Sequence, residues 1–536
     1  MNNKTGDIYK RKNHSTSSGP EIAEQIAEYI LAVVAVALCV GVAFYAKDGY
    51  HQIGNAKFAA YRNIMLAGGG LMLAVLVPYT VLWLREHRKT QISVTDICVL
   101  VYLTLSGVSV IFGGFYKDAL WGYTGWNMGL ISQLSFVLLY FFLSRFGRYY
   151  RIMLTALCVA SCIVYGIGIL HRLMIDPIGF YDGLTYYQKT LFLSTLGQNS
   201  WYGSFVAVTL PVGVGVFLYS DKKMWRILSG IFMTFGFCTL VTQNSDSVYF
   251  AMTGAFVVFF MISAAERETM CRFMGMLTSF FASGKIMYYL MQINPNPEFV
   301  ADYVTRLMWT SKITWVLLVI CLIVTVALCV AGVKSDSGSY PKVLMRRVGQ
   351  AAPAVTIALI AGTVLLIILK TRGALPRAVS DKLADVSYFN WDNEWGNGRG
   401  RIWRFSVKMF AEADIVHKLF GVGPDCFHSY VVARYSEDQT YYWGSKQLTN
   451  AHNEWLTGLI NVGILGTAAY AGIYVTAVRR FCREHRHNIL LAGIAASCMS
   501  YMCYNFFCYQ QVLCTPFIFL LMGIGEYILR DLVDKT

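Results

Sequence analysis

Residues 313–333 read ITWVLLVICLIVTVALCVAGV, an apolar run without a charged side chain. A helix of about 20 such residues matches the hydrocarbon core of a bilayer, which is about 30 Å thick. Fourteen segments of this kind follow one another along the chain, and each is a candidate membrane helix. They lie near residues 26–46, 63–84, 96–115, 128–144, 152–170, 201–219, 225–242, 247–265, 273–291, 313–333, 351–369, 455–477, 489–508 and 512–529.

The composition agrees with a protein whose main solvent is lipid. Hydrophobic residues make up 56% and charged residues 14% of the 536 residues, and the mean hydropathy is +0.48. A soluble chain of this size carries about 25% charged residues. These values exclude a disordered, collagen-like or disulfide-framework protein. The fourteen cysteines fall mostly in apolar stretches, where they are small buried hydrophobes more often than metal or redox ligands.

The net charge of +14 raises the question of a nucleic-acid partner, and the distribution of Lys and Arg answers it. Twenty-five of these residues fall in the two tails and in alternate short loops, whereas the short loops of the opposite side hold eight. Cytoplasmic loops of membrane proteins carry such an excess, so no polyanion partner is required. The pattern predicts cytoplasmic termini and fourteen crossings, within a range of twelve to fourteen.

The first apolar segment follows a Ser-rich polar tail and shows no cleavage site of small residues, so we interpret it as a retained helix rather than a signal peptide. The fold class predicted is all-α, a polytopic integral membrane protein with one large extracytoplasmic loop. Loops of such length usually carry function. The predicted divisions are a cytoplasmic tail (1–25), eleven membrane helices (26–370), the outer loop (371–454), three further helices (455–529) and a cytoplasmic tail (530–536).

Inside the outer loop, residues 401–410 place apolar side chains at helical spacing opposite Arg401, Arg404 and Lys408. The pattern predicts an amphipathic helix that lies on the membrane surface. Gly421–Pro424 then predicts a sharp break, and a second short helix is expected over about 427–434.

His452 stands in the Thr449–Trp455 stretch that leads into the twelfth apolar segment. We expect it in the first turn of that helix, with Asn450 as N-cap. The positive end of the helix dipole disfavours imidazolium, which would leave a neutral side chain able to accept a proton near pH 7. The negative charge of Glu454 would instead favour the imidazolium form of His452. The alternative is a capping or interfacial histidine without catalytic function.

Arg399 lies between two glycines, which let a ligand approach the backbone closely. A guanidinium offers a planar, permanently charged fork to the oxygens of a diphosphate. Arg401 and Arg404 are candidates for the same ligand, and they are equally compatible with the solvated or headgroup-facing side of the amphipathic helix.

In combination, these residues resemble the O-antigen ligase and O-antigen polymerase family. The resemblance rests on Arg399-Gly-Arg-Ile-Trp403, Gly421-Val-Gly-Pro424 with Phe427, and Ala451-His-Asn453. Leu196-Gly-Gln-Asn199, which opens a segment that contains Pro211, is similar to a further family element.

The resemblance implies a metal-independent, inverting glycosyltransferase without a cofactor. Such an enzyme transfers a glycan from a polyprenyl diphosphate donor to a sugar or glycolipid acceptor, at the outer face of the bacterial cytoplasmic membrane, in cell-envelope polysaccharide biosynthesis. By analogy Arg399 binds the diphosphate, His452 is the general base, and Asn453 belongs to the substrate site. Whether the enzyme is a ligase or a polymerase stays open.

The chain departs from the family at one position. Members carry a second arginine in a Ser-Arg-Gly-like element, but Gln243-Asn-Ser-Asp-Ser247 stands here. Either Arg401 or Arg434 supplies the second cation, or Asp246 orients an arginine or an acceptor hydroxyl. The alternative is that Asp246 only caps its own helix.

Other signals allow two interpretations. Trp391, Trp395 and residues 441–443 could stack on sugar rings or belong to an interfacial aromatic belt. Asp392 and Glu394 are a weak candidate for a divalent cation. Lys285, inside the ninth apolar segment, marks either a functional intramembrane charge or a helix that ends early or lies at the surface.

Two functions from other classes compete with the enzyme. Fourteen helices also suit a transporter or flippase of lipid-linked saccharides, although a transporter concentrates polar residues near the bilayer midplane rather than in one outer loop. A noncatalytic receptor or scaffold whose loop binds cell-wall glycan is the third possibility.

Overall fold

The computed structural model describes residues 19–85, 91–334, 340–384 and 386–534. Most of the predicted N-terminal tail, with Lys4, Lys10, Arg11 and Lys12, lies outside the described residues, as do Arg88, Lys89 and Lys535.

The described residues are almost entirely helical. The first half of the chain contains α1 (Gly19–Phe44), α2 (Ile53–Arg85), α3 (Val94–Gly113), α4 (Tyr116–Trp121), α5 (Leu130–Phe146), α6 (Tyr150–Arg172), α7 (Tyr186–Leu191), the two-residue antiparallel strands β1 (Phe192–Leu193) and β2 (Gly197–Gln198), α8 (Asn199–Tyr219), α9 (Lys223–Thr242) and α10 (Asp246–Ser263).

The second half contains several short helices between the long helices Lys342–Thr371 and Gly463–Glu484. Its elements are α11 (Arg267–Met291), α12 (Tyr303–Thr310), α13 (Lys312–Lys334), α14 (Lys342–Thr371), α15 (Arg377–Lys382), a 3-10 turn (Ser387–Phe389), α16 (Trp395–Glu412), α17 (Ile415–Phe420), α18 (Phe427–Trp443), α19 (Glu454–Asn461), α20 (Gly463–Glu484), α21 (Leu490–Tyr504) and α22 (Thr515–Val533).

The all-α polytopic class is confirmed. Each of the fourteen predicted segments lies largely on a long helix, and among the described residues nine helices are long and apolar enough to cross a membrane. Two more, α5 and α21, are apolar but shorter. The remaining segments lie on α11, α20 and α22, so the count of fourteen crossings stays a prediction.

Helix α22 carries the acidic residue Glu526 among apolar neighbours. Residues 515–526 are all buried, because neighbouring helices, α5 and α21 among them, cover this helix. A helix covered by protein need not present an apolar surface to lipid, and Glu526 is tolerated because it pairs with Arg480 of α20.

A polar network joins the helix ends on the side where α3 begins. Asp96, held in a capping box by Ser93, accepts hydrogen bonds from Tyr140 of α5 (2.8 Å) and Arg530 of α22 (2.6 Å). Since each of these polar groups finds a charged or hydroxyl partner, three helices are fixed relative to one another at this level.

Lys285 has a structural partner. Its ammonium donates to the carbonyls of Trp309 (2.8 Å) and Ser311 (3.2 Å), where α12 ends. The negative end of a helix attracts a cation, which explains the buried charge. Helix α11 continues to Met291, so the interpretation that it ends early at Lys285 was wrong.

The packing of α1 on α2 generates a stability prediction. A Cβ on Gly68 would lie 2.2 Å from Val34 Cγ2, whereas one on Gly69 would have nothing within 4 Å. We expect Gly68→Ala to destabilise the protein by about 1–3 kcal/mol through overpacking. Gly69→Ala, the matched control, should be neutral or stabilising by up to about 1 kcal/mol. Thermal unfolding in detergent measures both, and equal midpoints would contradict the α1–α2 packing.

Candidate active site

The predicted amphipathic helix 401–410 lies within α16. Gly396, Asn397 and Gly398 have φ of 59°, 63° and 86°, so a left-handed turn precedes the regular helix, which starts at Arg399. A Cβ at Gly400 would lie 2.0 Å from the Asp392 carbonyl oxygen, which explains the glycine there. Both glycines around Arg399 therefore have a backbone function.

The Arg399 guanidinium makes two hydrogen bonds to backbone carbonyls and has donors left over. Its Nη1 donates to the Gly396 carbonyl (2.9 Å) and its Nη2 to the Phe507 carbonyl at a longer 3.4 Å. Its Nε is buried and has no hydrogen-bond partner within the described part of the chain. A guanidinium has five N–H donors, so this one retains donors for an anion.

The Gly421–Pro424 break is present between α17 and α18. Val422 N donates to the Ile460 carbonyl (3.0 Å), and Gly423 N donates to that of Asn461 (2.8 Å), which ties the turn to the end of α19. Gly421 has a φ of 78°, and a Cβ on it would lie 2.4 Å from the Asn461 backbone. The turn therefore requires glycine for both its conformation and its close approach.

The second predicted helix is longer than expected. Helix α18 starts at Phe427 as predicted but runs on to Trp443, with a kink at Tyr435. The aromatic run 441–443 forms the end of this helix instead of following it.

His452 does not lie in a helix. Helix α19 begins at Glu454, and its N-cap is Asn453, whose side chain accepts from Leu456 N (3.1 Å). The prediction of Asn450 as N-cap was wrong, because Asn450 Oδ1 instead accepts from His452 N (2.9 Å). His452 itself has a φ of 47°, in the left-handed region that non-glycine residues rarely adopt.

The His452 imidazole packs edge-on against Tyr509, with the ring centroids 5.4 Å apart. Neither ring nitrogen has a hydrogen-bond partner among the described residues. Burial lowers the pKa of His452 to about 4, and the positive charge of Arg399 acts in the same direction. The imidazole is therefore neutral near pH 7, and burial rather than the helix dipole is the main cause.

Arg399 and His452 both contact a segment that was largely predicted to be membrane helix. Helix α21 ends at Tyr504 and α22 begins at Thr515, so residues 505–514 are an irregular segment, hereafter the 505–514 segment. Its Phe507 carbonyl meets Arg399 and its Tyr509 ring meets His452. The amides Asn505, Gln510 and Gln511 inside an apolar run were the only signal in the sequence that could have revealed it.

The other predicted arginines have different surroundings. Arg401 contacts Glu394 (2.5 Å) and the Tyr442 carbonyl (3.2 Å), and Arg404 donates to Asn393 Oδ1 (3.0 Å) and the Trp391 carbonyl (2.6 Å). Arg434 is exposed on α18. Asn453 is the α19 cap described above. Arg399 and His452 thus both contact the 505–514 segment. The hydrogen bonds of Arg401, Arg404 and Asn453 go to other parts of the chain.

Asp246 does not cap its own helix. Its carboxylate accepts from Val304 N at the start of α12 (3.0 Å) and from the Tyr388 hydroxyl (2.7 Å), so the capping alternative was wrong. Asp302 lies beside it. Burial and the charge of Asp246 raise the pKa of Asp302 to about 6, against the opposing effect of Arg399. A pair of carboxyl groups therefore lies in the neighbourhood of Arg399.

Aromatic rings form one wall beside Arg399. Trp391, Trp395 and Trp403 have their centroids within 5.8 Å of one another, and Trp403 is stacked on Phe507 at 6.0 Å. Trp403 Nε1 donates to the Ala451 carbonyl (3.1 Å), next to His452. The tryptophans thus connect α16 to both the 505–514 segment and the chain at His452.

Asp392 and Glu394, the candidate site for a divalent cation, bind other groups of the protein. Glu394 pairs with Arg401, and Asp392 Oδ1 accepts from Glu394 N (2.9 Å). Over the described ranges, no group of three or more His, Cys, Asp or Glu side chains could hold a metal ion.

Comparison with known families bears on the same region. Residues 299–471 match the O-antigen ligase family, which confirms the resemblance predicted from the motifs. The match covers about a third of the chain and contains Arg399, the Gly421–Pro424 turn and His452. No curated protein matches the chain.

The proximity of Arg399 and His452 can be tested without any substrate. Removing the arginine charge in Arg399→Gln should raise the pKa of His452 by roughly 0.5–1 unit, because a like charge nearby disfavours imidazolium. Deuterium exchange at the imidazole C2 carbon, followed by mass spectrometry against pH, gives this pKa for each histidine.

In the unmodified protein the His452 midpoint should lie near 4. A His452 midpoint near the usual value of about 6.5, or one that Arg399→Gln leaves unchanged, would contradict the arrangement.

Proposed function

We propose that this chain, whose residues 299–471 match the O-antigen ligase family, transfers a glycan from a polyprenyl diphosphate donor to an acceptor sugar. The reaction takes place at the outer face of the bacterial cytoplasmic membrane and builds cell-surface polysaccharide. The observation that supports the proposal is the approach of a partly unsatisfied arginine and a neutral, unpartnered imidazole to the same 505–514 segment.

In the proposed step His452 takes the proton from an acceptor hydroxyl as its oxygen attacks the anomeric carbon. The new glycosidic bond forms while the bond from that carbon to the diphosphate oxygen breaks, with inversion of configuration. The polyprenyl diphosphate leaves with the electron pair, and Arg399 stabilises the negative charge that develops on it. A fixed guanidinium supplies the positive charge that a metal ion would otherwise provide, so the proposed step requires neither a metal nor a cofactor.

The proposed topology follows the Lys and Arg distribution. Both termini are cytoplasmic, residues 26–370 and 455–529 contain the membrane helices, and residues 371–454 lie on the outer face. The donor's lipid tail lies in the bilayer while its diphosphate reaches Arg399 at the interface.

The other candidate site residues fall into two groups, those whose side chains already bind protein groups and those that are exposed. We propose that Arg401, Arg404 and Asn453 shape the site, because their side chains already bind loop or backbone groups. Arg434 is exposed and is the best candidate among these four for an anionic group of donor or acceptor. Asp246 holds Tyr388 and the start of α12 near Arg399, which gives it an orienting function.

The hydrogen-bond partners of the buried cations favour an enzyme over a transporter. Three buried cations on the long helices have backbone carbonyls as partners: Lys57 donates to Ala43 (2.8 Å), Arg172 to Thr242 (2.8 Å) and Lys285 to Trp309 (2.8 Å). Charges occupied in this way stabilise the bundle and are poorly placed to bind a passing substrate.

Substitution of the two central residues tests the enzyme. His452→Ala and Arg399→Ala should each reduce product formation by about 10²–10⁴-fold, the usual effect of losing a general base or an electrostatic stabiliser. The measurement is reconstitution with a defined polyprenyl diphosphate oligosaccharide, followed by sizing of the products. The matched charge control is Lys446→Ala, which removes an exposed cation from the same loop and should retain activity.

Normal product amount and length in both variants would reject the enzyme assignment. Activity that a chelator abolishes and a divalent cation restores would overturn the metal-free step. Accumulation of donor on the inner leaflet after deletion of the gene would instead favour the flippase.

A further inference from the structure

Glu454 is a carboxyl group next to the proposed base that the reaction described above does not use. It is the first residue of α19, and two of its groups contact the 505–514 segment. Its backbone N–H donates to the Asn505 carbonyl (2.8 Å), and its Oε2 accepts from Gln510 N (2.9 Å). One residue therefore holds the segment at two points, on either side of Phe507 and Tyr509.

The part of the segment between these two points carries the contacts of the site. The Phe507 carbonyl accepts from Arg399, and the Phe507 ring stacks on Trp403 with an interplanar angle of 29°. The Tyr509 ring packs on His452. Any shift of residues 505–510 away from α19 would therefore move the surroundings of both Arg399 and His452.

The far side of the segment is also anchored. The Gln510 side chain accepts from Gln133 of α5 (2.7 Å) and donates to the Tyr102 hydroxyl of α3 (3.3 Å). These bonds fix where Gln510 lies relative to the membrane helices, and Glu454 then fixes α19 and the adjacent His452 relative to Gln510.

We propose that Glu454 is a positioning residue, which clamps the 505–514 segment to the start of α19 and so aligns Arg399 with His452. The inference rests on the proposed function for its catalytic consequence, but the clamp itself is a structural statement that can be tested separately. A misplacement of about 1 Å in such an arrangement can reduce the rate about 100-fold.

The surroundings of Glu454 indicate which protonation state forms the clamp. A cavity of about 40 Å³ beside it, also lined by Asp425, Asn450 and Gln510, has room for a few water molecules. Burial raises the pKa of Glu454 to about 8, with a further contribution from the charge of Asp425. The other titratable groups around it are those of Tyr102, Tyr470, Tyr501 and Cys508.

Near pH 7 the clamp is therefore the neutral acid, whose carbonyl oxygen accepts from Gln510 N. Because the pKa in the folded protein is raised, the neutral form is lost as the pH rises through about 8. Burial, and to a smaller extent the charge of Asp425, disfavours the ionised carboxylate, and the hydrogen bond from Gln510 N offsets this only in part, so ionisation favours opening of the segment to water. A glutamine at this position keeps the carbonyl acceptor and cannot ionise.

The experiment compares Glu454→Ala and Glu454→Gln with the unmodified protein. Glu437→Ala, an exposed glutamate of α18, is the matched control. Backbone deuterium exchange should rise in peptides that cover 505–514 in Glu454→Ala alone, and the His452 C2-exchange midpoint should shift in the same variant. Activity should fall about 10–100-fold in Glu454→Ala and return to most of its original value in Glu454→Gln.

The pH profile provides a readout that survives if Glu454→Ala fails to fold. Activity of the unmodified enzyme should decline as the pH rises through about 8, and Glu454→Gln should lack this decline. Unchanged exchange in Glu454→Ala, or a Glu454→Gln variant as impaired as the alanine variant, would overturn the clamp. If exchange responds as expected while no donor is turned over even by the unmodified protein, the clamp stands and the proposed function fails.

Discussion

The position of the 505–514 segment is the constraint on which the site depends. Arg399 lies where the regular part of α16 begins, and His452 lies just before α19. The Arg399 guanidinium donates to the Phe507 carbonyl, and the His452 ring packs against Tyr509. The segment is irregular, yet Asn505 and residues 508–514 are buried. Irregular backbone at such a depth is tolerated only where protein surrounds it, and α3, α5, α8 and α19 supply the hydrogen-bond partners here.

Electrostatics at the site follow from this burial. Burial keeps His452 neutral, and the positive charge of Arg399 further disfavours its imidazolium form. The charge of Arg399 also acts on Asp302, which lies beside Asp246. Asp246 in turn accepts hydrogen bonds from the Tyr388 hydroxyl and from Val304 N at the start of α12.

Hydropathy was sufficient to predict the bundle, because a bilayer imposes the same length and apolarity on every helix that faces lipid. Spacing also predicted the helix after Arg399 and the Gly421–Pro424 turn, where local sequence determines local structure. It failed where tertiary contacts decide. The N-cap of α19 is Asn453, which accepts from Leu456 N, and not Asn450. The 505–514 segment was predicted to be largely helical, because the residues that bind its side-chain amides, Gln133 and Ser204, are distant in sequence. Glu454 was noted only as a neighbour of His452, since its partners at 505 and 510 are invisible without the fold.

A cryo-electron microscopy map of the protein in a lipid nanodisc with bound polyprenyl diphosphate would show whether Arg399 and His452 line one pocket. The account predicts phosphate density within hydrogen-bond distance of the Arg399 guanidinium. It also predicts that the His452 imidazole faces the same pocket and that the 505–514 segment lies between α19 and α16. Diphosphate bound elsewhere, or Arg399 and His452 on separate surfaces with no shared pocket, would contradict it.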